Sequence, residues 1–311
     1  MTLNQLFTNI ADAIRNKKGT SGKIIAENFP TEISDITTGN LTDEEYNEAM
    51  EDVTEILEGS DIVNIYPPDW SEIGYEDTPQ DIIEGFNYAK EIRNNWDSSV
   101  TNLHNKFYQD ENLKYMPLVD TSNVTNMSSM FQYSDLILMP LLNTSNVTNM
   151  QSMFYGCASL FFIPLLDTSN VTRMSNMFSS CKLLSSIPQF NTSKVTDMAY
   201  VFGYCGSLTT IPLLDTSTTV NMQGMFYGCS ALVTVPVLDT SSVTTMTYMF
   251  DGCKLLSNES LNNILAMCTN AVKMTNDKTL KTLSLSQTQA EICTTLSNYQ
   301  AFLDAGWTTG Y

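Results

Sequence analysis

The chain has 311 residues, 42% of them apolar and only 16% charged, with 17 Met, seven Cys and one His. That length is generous for one globular domain and suits two or three parts sharing a sizeable core. The net charge of −19 repels phosphate, which excludes nucleic acid and anionic membrane surfaces as expected partners.

Residues 1–40 read as a short helical attachment module. Leu3, Leu6, Phe7, Ile10 and Ile14 share one face of a helix over Leu3 to Arg15. The start has no basic region followed by an uninterrupted apolar stretch, so no signal peptide is expected. No run approaches the ~20 apolar residues of a membrane span, so membrane insertion is not expected and assembly in a cytoplasm is. Residues 41–95 read as an acidic helical domain that caps the repeats beginning at Trp96. Between residues 41 and 91 lie sixteen acids and one base, Lys90, so this stretch alone carries −15 of the net charge. Thr42 with Glu45 three residues on fits a capping box, opening a helix through about Leu57. Tyr66 to Gln80, with Pro67, Pro68 and Pro79, reads as a loop, and Pro79 starts a further helix to about Asn94. The acidic face is either a solvated outer surface of the cap or a dock for a basic partner surface.

From Trp96 to residue 258 the chain repeats. Segments beginning at Asp120, Asn143, Asp167, Asn191, Asp215 and Asp239 align at 24-residue spacing, the Asp120 unit being one residue shorter, and a degenerate first unit begins at Trp96. Counting the first Asp or Asn as offset 0, Phe stands at offset 11 in all seven: Phe107, Phe131, Phe154, Phe178, Phe202, Phe226 and Phe250. Offset 7 is Met in six, offset 10 is mostly Met, and offset 17 is mostly Leu. Like stacks on like, so each unit buries its apolar edge only against its neighbours. The Met richness is therefore core. Asp or Asn followed by Thr-Ser is turn chemistry. Thr at offset 5 suits the N-cap of a short helix such as Asn126 to Phe131, closed by Gly156, Gly228 or Gly252 in equivalent units. The stretch Leu208 to Ile211 reads as a short strand, one per unit, parallel and about 4.8 Å apart. Pro at offset 21 keeps it short.

Residues 259–311 read as a helical C-terminal cap, with helices near Leu261–Val272, Thr288–Leu296 and Tyr299–Ala305. The expected fold is thus α+β: a right-handed, leucine-rich-repeat-like solenoid of seven 24-residue units with helical N- and C-terminal caps.

Chemistry is hard to place in this pattern. The single His104 gives a nucleophilic site one base and no motif. Cys157, Cys181, Cys205, Cys229 and Cys253 recur at offset 14 and never as CxxC, so they read as a buried, reduced thiol column rather than zinc ligands or disulfides. Cys268 and Cys293 read as cap core. No glycine-rich phosphate loop appears. The triplets at Asn123, Asn146 and Asn170 match glycosylation acceptors but recur as repeat turns. No enzyme, cofactor or metal site is expected.

Surface remains. Offsets 18 and 19 lie between two buried columns and read Tyr115, Ile137/Leu138 and Phe161/Phe162 in early units, then Ser185/Ser186, Thr209/Thr210 and Val233/Thr234. Adjacent aromatics on an outward face imply a cover. Tyr115, Leu138, Phe161 and Phe162 are therefore candidate partner-binding residues. The cover is the chain's own helical domain, a sister subunit or a foreign partner. Tyr155, Tyr200, Tyr227 and Tyr248, at offsets 9 and 12, are candidates on the other side, suited to carbohydrate or protein.

The recurring pattern VTxMxxMFxGCxxLxxIPxLDTS, from about Trp96 to Ser257, resembles the BspA-type leucine-rich repeats of bacterial surface proteins and prophages. That resemblance implies a curved solenoid used for adhesion or protein recognition. The segment LNQLFTNIADAIRNKKGTSGKIIAENFPTEISDI is similar to the start modules of minor structural and tail proteins of phages of Gram-positive bacteria, and YQAFLDAGWTTGY is similar to the ends of such phage repeat proteins. The resemblances imply a virion component, in the tail, baseplate or an accessory position. Its partners would be other virion proteins through the N-terminal region and a host surface protein or glycan, with homo-oligomerisation left open. A bacterial cell-surface adhesin is the alternative.

Overall fold

A computed structural model of the chain describes residues 79–310, apart from 118, 138, 140–141, 161–162 and 275–280. The expected attachment module, the acidic helix from Thr42, and the candidates Leu138, Phe161 and Phe162 lie outside the described residues. The chain is a repeat protein of short turns, with small helices and strands at the ends of the repeats. Helix α1 spans Pro79–Asn94, with Arg93 favourably placed in its last turn. The helices α2 (Asn258–Asn270), α3 (Gln287–Cys293) and α4 (Tyr299–Asp304) come after the repeats, interleaved with strands β1 (Thr282–Ser284) and β2 (Thr308–Gly310).

The repeats are joined through their backbones. At offset 6, Asn102, Asn126, Asn149, Arg173, Asp197, Asn221 and Thr245 pair in succession as parallel bridges. Beyond that point donors alternate. In the repeat beginning at Asp120, the N–H groups of Met130, Gln132 and Ser134 donate three residues back, to Met127, Ser129 and Phe131. The N–H groups of Met127, Ser129, Phe131 and Tyr133 instead donate to carbonyls of Asn149, Gln151, Met153 and Tyr155 in the next repeat, at 2.7–3.0 Å.

This corrects the expected helix at Asn126 to Phe131, which is a run of overlapping turns. A helix would point its N–H groups along its own axis, whereas here alternate N–H groups point across to the next repeat and join it. The turns need a left-handed residue at offsets 9 and 13, and the chain supplies one each time. Asn105 and Gln109, Ser129 and Tyr133, Asn176 and Ser180, and Tyr200 and Tyr204 have φ between 52° and 66°. Nor does Thr125 cap a helix: its N–H and Oγ1 both donate to the Thr101 carbonyl one repeat earlier, at 2.9 and 3.3 Å.

Polar columns finish the turns. Asp120 Oδ1 accepts from the Ser122 N–H at 2.9 Å, and Asn126 Oδ1 accepts from the Ser128 N–H at 3.0 Å, so this repeat holds two Asx turns; the second is missing where Arg173 or Thr245 stands at offset 6. Buried Thr168, Thr192 and Thr216 donate to the carbonyls of Asn191, Asp215 and Asp239 in the following repeat. Asn123, Asn146 and Asn170 donate back to Ser98, Ser122 and Ser145. The glycosylation-like triplets thus have a structural reason to recur.

The stretch expected to be a regular strand is more sparsely bonded. Ile137, Thr209 and Val233 N–H each donate to the preceding repeat, at Lys114, Ser185 and Thr209. Among the described residues one bridge forms there, Thr210 with Thr234. Pro117, Pro164, Pro188, Pro212 and Pro236 each remove a donor from their rung, and the main ladder lies on the turn side.

Between these two sides runs the core. The Phe rings stack nearly parallel from Phe107 to Phe250, with centroids 5.4–5.9 Å apart and interplanar angles of 1–16°. The last repeat is closed by the C-terminal elements. Ser257 caps α2 by accepting from the Ser260 N–H, and the Ser260 hydroxyl accepts from the Val235 N–H at 2.9 Å. Thr240 Oγ1 donates to the Met267 carbonyl where earlier repeats use the next Asp or Asn. A capping box of Ser286 and Gln289 starts α3, and Gln289 Nε2 also donates to the Cys253 carbonyl. Parallel pairing of β1 with β2 then ties Thr282 to Thr308.

Candidate recognition surface

His104 and the cysteines each have a structural partner or a place in the core among the described residues. His104 Nδ1 lies 3.0 Å from the Ser128 carbonyl and Nε2 lies 3.0 Å from Asn105 Nδ2, so the ring ties the first repeat to the second. The seven thiols are free and buried. In the column, Cys157, Cys181, Cys205, Cys229 and Cys253 each donate to the Phe carbonyl of the preceding repeat, at 2.9–3.1 Å. Burial pushes Cys157 and Cys229 up to about 12, and drives Cys181, Cys205 and Cys253 well above the ordinary thiol value. Such thiols are inert. Among the described residues no group of three His, Cys, Asp or Glu could hold a metal ion. No described helix is long and apolar enough to cross a membrane.

The strand-side candidates divide. Tyr115 is buried, 4% exposed, and this corrects its placement on an outward face. Helix α1 passes over it: a β-carbon at Gly85 would lie 3.1 Å from Tyr115 Cε2 and 2.9 Å from Lys114 Cβ. Ile137 beside it is buried too. Tyr115 therefore belongs to the packing of α1. The polar residues expected on later rungs, Ser185, Ser186, Thr209 and Thr210, are exposed.

On the turn side the tyrosines come together in two clusters. Tyr133 meets Tyr155 edge-on, with centroids 5.1 Å apart and planes at 89°, and Tyr108 meets Tyr133 at 6.1 Å. Three repeats on, Tyr204 meets Tyr227 at 5.1 Å and 75°, with Tyr200 at 6.2 Å from Tyr227. The hydrogen bond that the Tyr133 hydroxyl donates to Tyr155 raises the Tyr133 pKa, and the Tyr204 and Asp251 charges raise that of Tyr227. Tyr133, Tyr204 and Tyr248 are 43%, 53% and 53% exposed.

The backbone under these rings is shaped for them. Tyr133 lies against Gly156 so closely that any β-carbon there would overlap the ring, and Tyr200 lies against Gly224 in the same way. Tyr133, Tyr200, Tyr204 and Tyr248 themselves sit at φ of 52–60°. A bulky L-residue is strained in that region, where equivalent repeats place Gly, Asn, Ser or Gln. Of the four tyrosines expected on this side, the structure joins Tyr200 to Tyr227 and places Tyr155 in the other cluster. Tyr108, Tyr133 and Tyr204 were missed, although a Tyr at offset 13 followed one repeat later by Tyr-Gly-Cys was there to be seen.

A second surface was also missed. Leu213 and Val237, at offset 22, are 60% and 45% exposed beside the column of Asp215 and Asp239. They line an open groove of about 600 Å³ floored by Phe190 and Leu214.

No curated protein and no solved structure gives a significant match to the chain. A family model does match, three times, over residues 80–164, 161–264 and 210–288, and its description is "Mycoplasma protein of unknown function, DUF285". The overlapping matches track the internal repetition, and together they run from α1 to the start of α3 across about two thirds of the chain. On that coverage the protein belongs to this family, the repeat-containing DUF285 proteins.

Proposed function

We propose that the chain is a solenoid of seven units that recognises a surface and catalyses nothing, and that it is carried on a phage particle as a tail, baseplate or accessory protein. The tyrosine side is the recognition surface. One observation supports this most: three exposed tyrosines, Tyr133, Tyr204 and Tyr248, and the half-buried Tyr200 occupy left-handed backbone positions where Gly or Asn would cost less. Strain of that kind persists where a side chain is needed for something other than folding. Tyrosine supplies a large amphipathic contact with few rotamers to freeze. The rigid backbone ladder beneath it reduces the ordering cost of binding further.

Attachment falls to residues 1–40, on their similarity to phage start modules, with other virion proteins as partners there. The target of the tyrosine side is a host surface component or a further particle protein. The particle assembles in the host cytoplasm. The family's description as Mycoplasma proteins favours a second reading, a bacterial cell-surface adhesin.

The test is adsorption. Particles purified from the source culture are probed for the chain, then rebuilt with Tyr204→Ala and Tyr227→Ala together. The chain is expected in the particle fraction, and adsorption to host cells should fall with the particles intact. Recovery of the chain only with cell envelopes would favour the adhesin, and unchanged adsorption would remove the tyrosine side from recognition.

A further inference from the structure

The two tyrosine clusters are copies of one arrangement. In each, a Tyr at offset 13 of one repeat meets a Tyr at offset 12 of the next, at 5.1 Å and near a right angle. In each, the ring at offset 13 leans on the left-handed glycine just after the second tyrosine, Gly156 with φ +75° and Gly228 with φ +72°. Each has a third ring at its flank, Tyr108 in one and Tyr200 in the other, 6.1 and 6.2 Å away. Tyr133 and Tyr204 are three repeats apart on the same backbone ladder. At the spacing of parallel strands, that separation is about 14 Å.

From this duplication we infer that the tyrosine side binds a linear, uncharged polysaccharide lying along the stack, with one stretch of the polymer on Tyr133/Tyr155 and a later stretch on Tyr204/Tyr227. The inference rests on the recognition role proposed above and names its ligand class. Two like subsites at a multiple of the repeat spacing match a ligand that is itself periodic. Ring faces take the apolar face of a sugar, and the phenol hydroxyls at the edge of each pair can exchange hydrogen bonds with sugar hydroxyls. The repeats carry few Lys or Arg for an anionic polymer to pair with, and the acidic stretch at 41–91 adds repulsion.

The probe is a set of neutral linear oligosaccharides of two to eight units: β-1,4-linked glucose, β-1,4-linked N-acetylglucosamine and α-1,4-linked glucose. Each is titrated against the full chain by calorimetry. One series should bind, with an affinity that rises steeply once the oligomer spans both pairs and then levels. Replacing either pair (Tyr133→Ala with Tyr155→Ala, or Tyr204→Ala with Tyr227→Ala) should abolish the length dependence and weaken the longest oligomer by roughly 100-fold. Tyr204→Phe with Tyr227→Phe keeps the rings and should recover part of the loss, which separates recognition from folding. If no series binds while the alanine pair still lowers adsorption, the ligand is not a neutral glycan and this inference falls alone. If the alanine pair changes neither binding nor adsorption, the recognition role falls with it. Binding without length dependence would overturn the two-subsite geometry.

Discussion

Tyr204 leans on Gly228, where a β-carbon would come within 3.0 Å of ring carbon Cδ1 and the backbone φ is +72°. Adding a methyl group there meets two penalties, the left-handed backbone and the ring. Gly228→Ala should therefore destabilise the protein by about 1–2 kcal/mol from the backbone alone. Gly206, close by in sequence, has no such φ, and the nearest atom to its added carbon is Ser230 Oγ at 3.8 Å. There the same change only restricts the unfolded chain and should stabilise by about 0.4–1 kcal/mol. Thermal melts of the two variants should move in opposite directions, and equal shifts would contradict the seat under Tyr204.

Stacking makes position within the column matter. Phe178 has ring neighbours at Phe154, Phe190 and Phe202, whereas among the described residues Phe107 has Phe131 alone. Phe178→Ala should cost about 3–5 kcal/mol, the usual range for a buried ring, and Phe107→Ala clearly less. Denaturant midpoints measure this directly. Equal losses would argue against repeats that depend on their neighbours on both sides.

How legible each part of the fold is in the sequence depends on which groups carry it. Side-chain columns, such as Phe at offset 11 and Cys at offset 14, are repeated in letters and could be read as core, and they are buried. Helix α1 and the three C-terminal helices lie within a few residues of where capping and periodicity put them. The turn run at offsets 7 to 14 was misread because Met-x-x-Met-Phe spacing suits one face of a helix as well as alternating turns. The deciding feature is the left-handed backbone at offsets 9 and 13, and it is filled by Asn, Gln, Ser, Tyr or Gly, so no single letter marks it. Tyr115 was misplaced because its cover, α1, comes from a distant stretch that local spacing cannot see. The tyrosine clusters needed pairing across repeats, which a reading column by column does not give.

Thiol reactivity should track burial. All seven Cys are buried, and burial raises the pKa of each column thiol, to about 12 at Cys157 and Cys229. At pH 8 the native chain should take up almost no iodoacetamide over an hour, and in denaturant all seven thiols should react. Rapid labelling of Cys205 in the native chain, read by peptide mass analysis, would contradict the closed column.

Acid should loosen the turns at offset 0. The hydroxyl and the N–H of Ser217 hold the Asp215 carboxylate below the ordinary 3.8, and Ser241 acts likewise on Asp239. A carboxyl depressed by folding contributes stability that is fully present above its unfolded value and is lost as pH falls through the folded value. Midpoints should hold steady from neutral pH down to about 5 and then drop below about 4. Ser217→Ala removes the hydroxyl donor, so its destabilisation should be visible at pH 7 and should shrink towards pH 2. A deficit that stays constant with pH would mean the hydroxyl acts on something other than the ionised carboxylate.

Tyr248 separates stability from binding most cleanly. It stands at offset 9 of the last repeat with φ 60° and is 53% exposed. At the same offset other repeats hold Asn105, Ser129, Ser152, Asn176 and Gly224, all left-handed as well. Asn tolerates that backbone because its short polar side chain can hydrogen-bond locally, whereas a tyrosine is strained there. Little apolar burial offsets the strain, since half of the residue faces solvent. Tyr248→Asn should therefore raise stability by up to about 1 kcal/mol, a few degrees in melting temperature for a domain of this size. The same change should weaken whatever the tyrosine side binds, because a half-exposed ring in the repeat after Tyr227 is lost. A rise in melting temperature with a fall in adsorption is the trade expected of a residue kept for function at the expense of folding. If melting temperature falls instead, Tyr248 packs as part of the last repeat's closure, and the argument from backbone strain to recognition fails at that position.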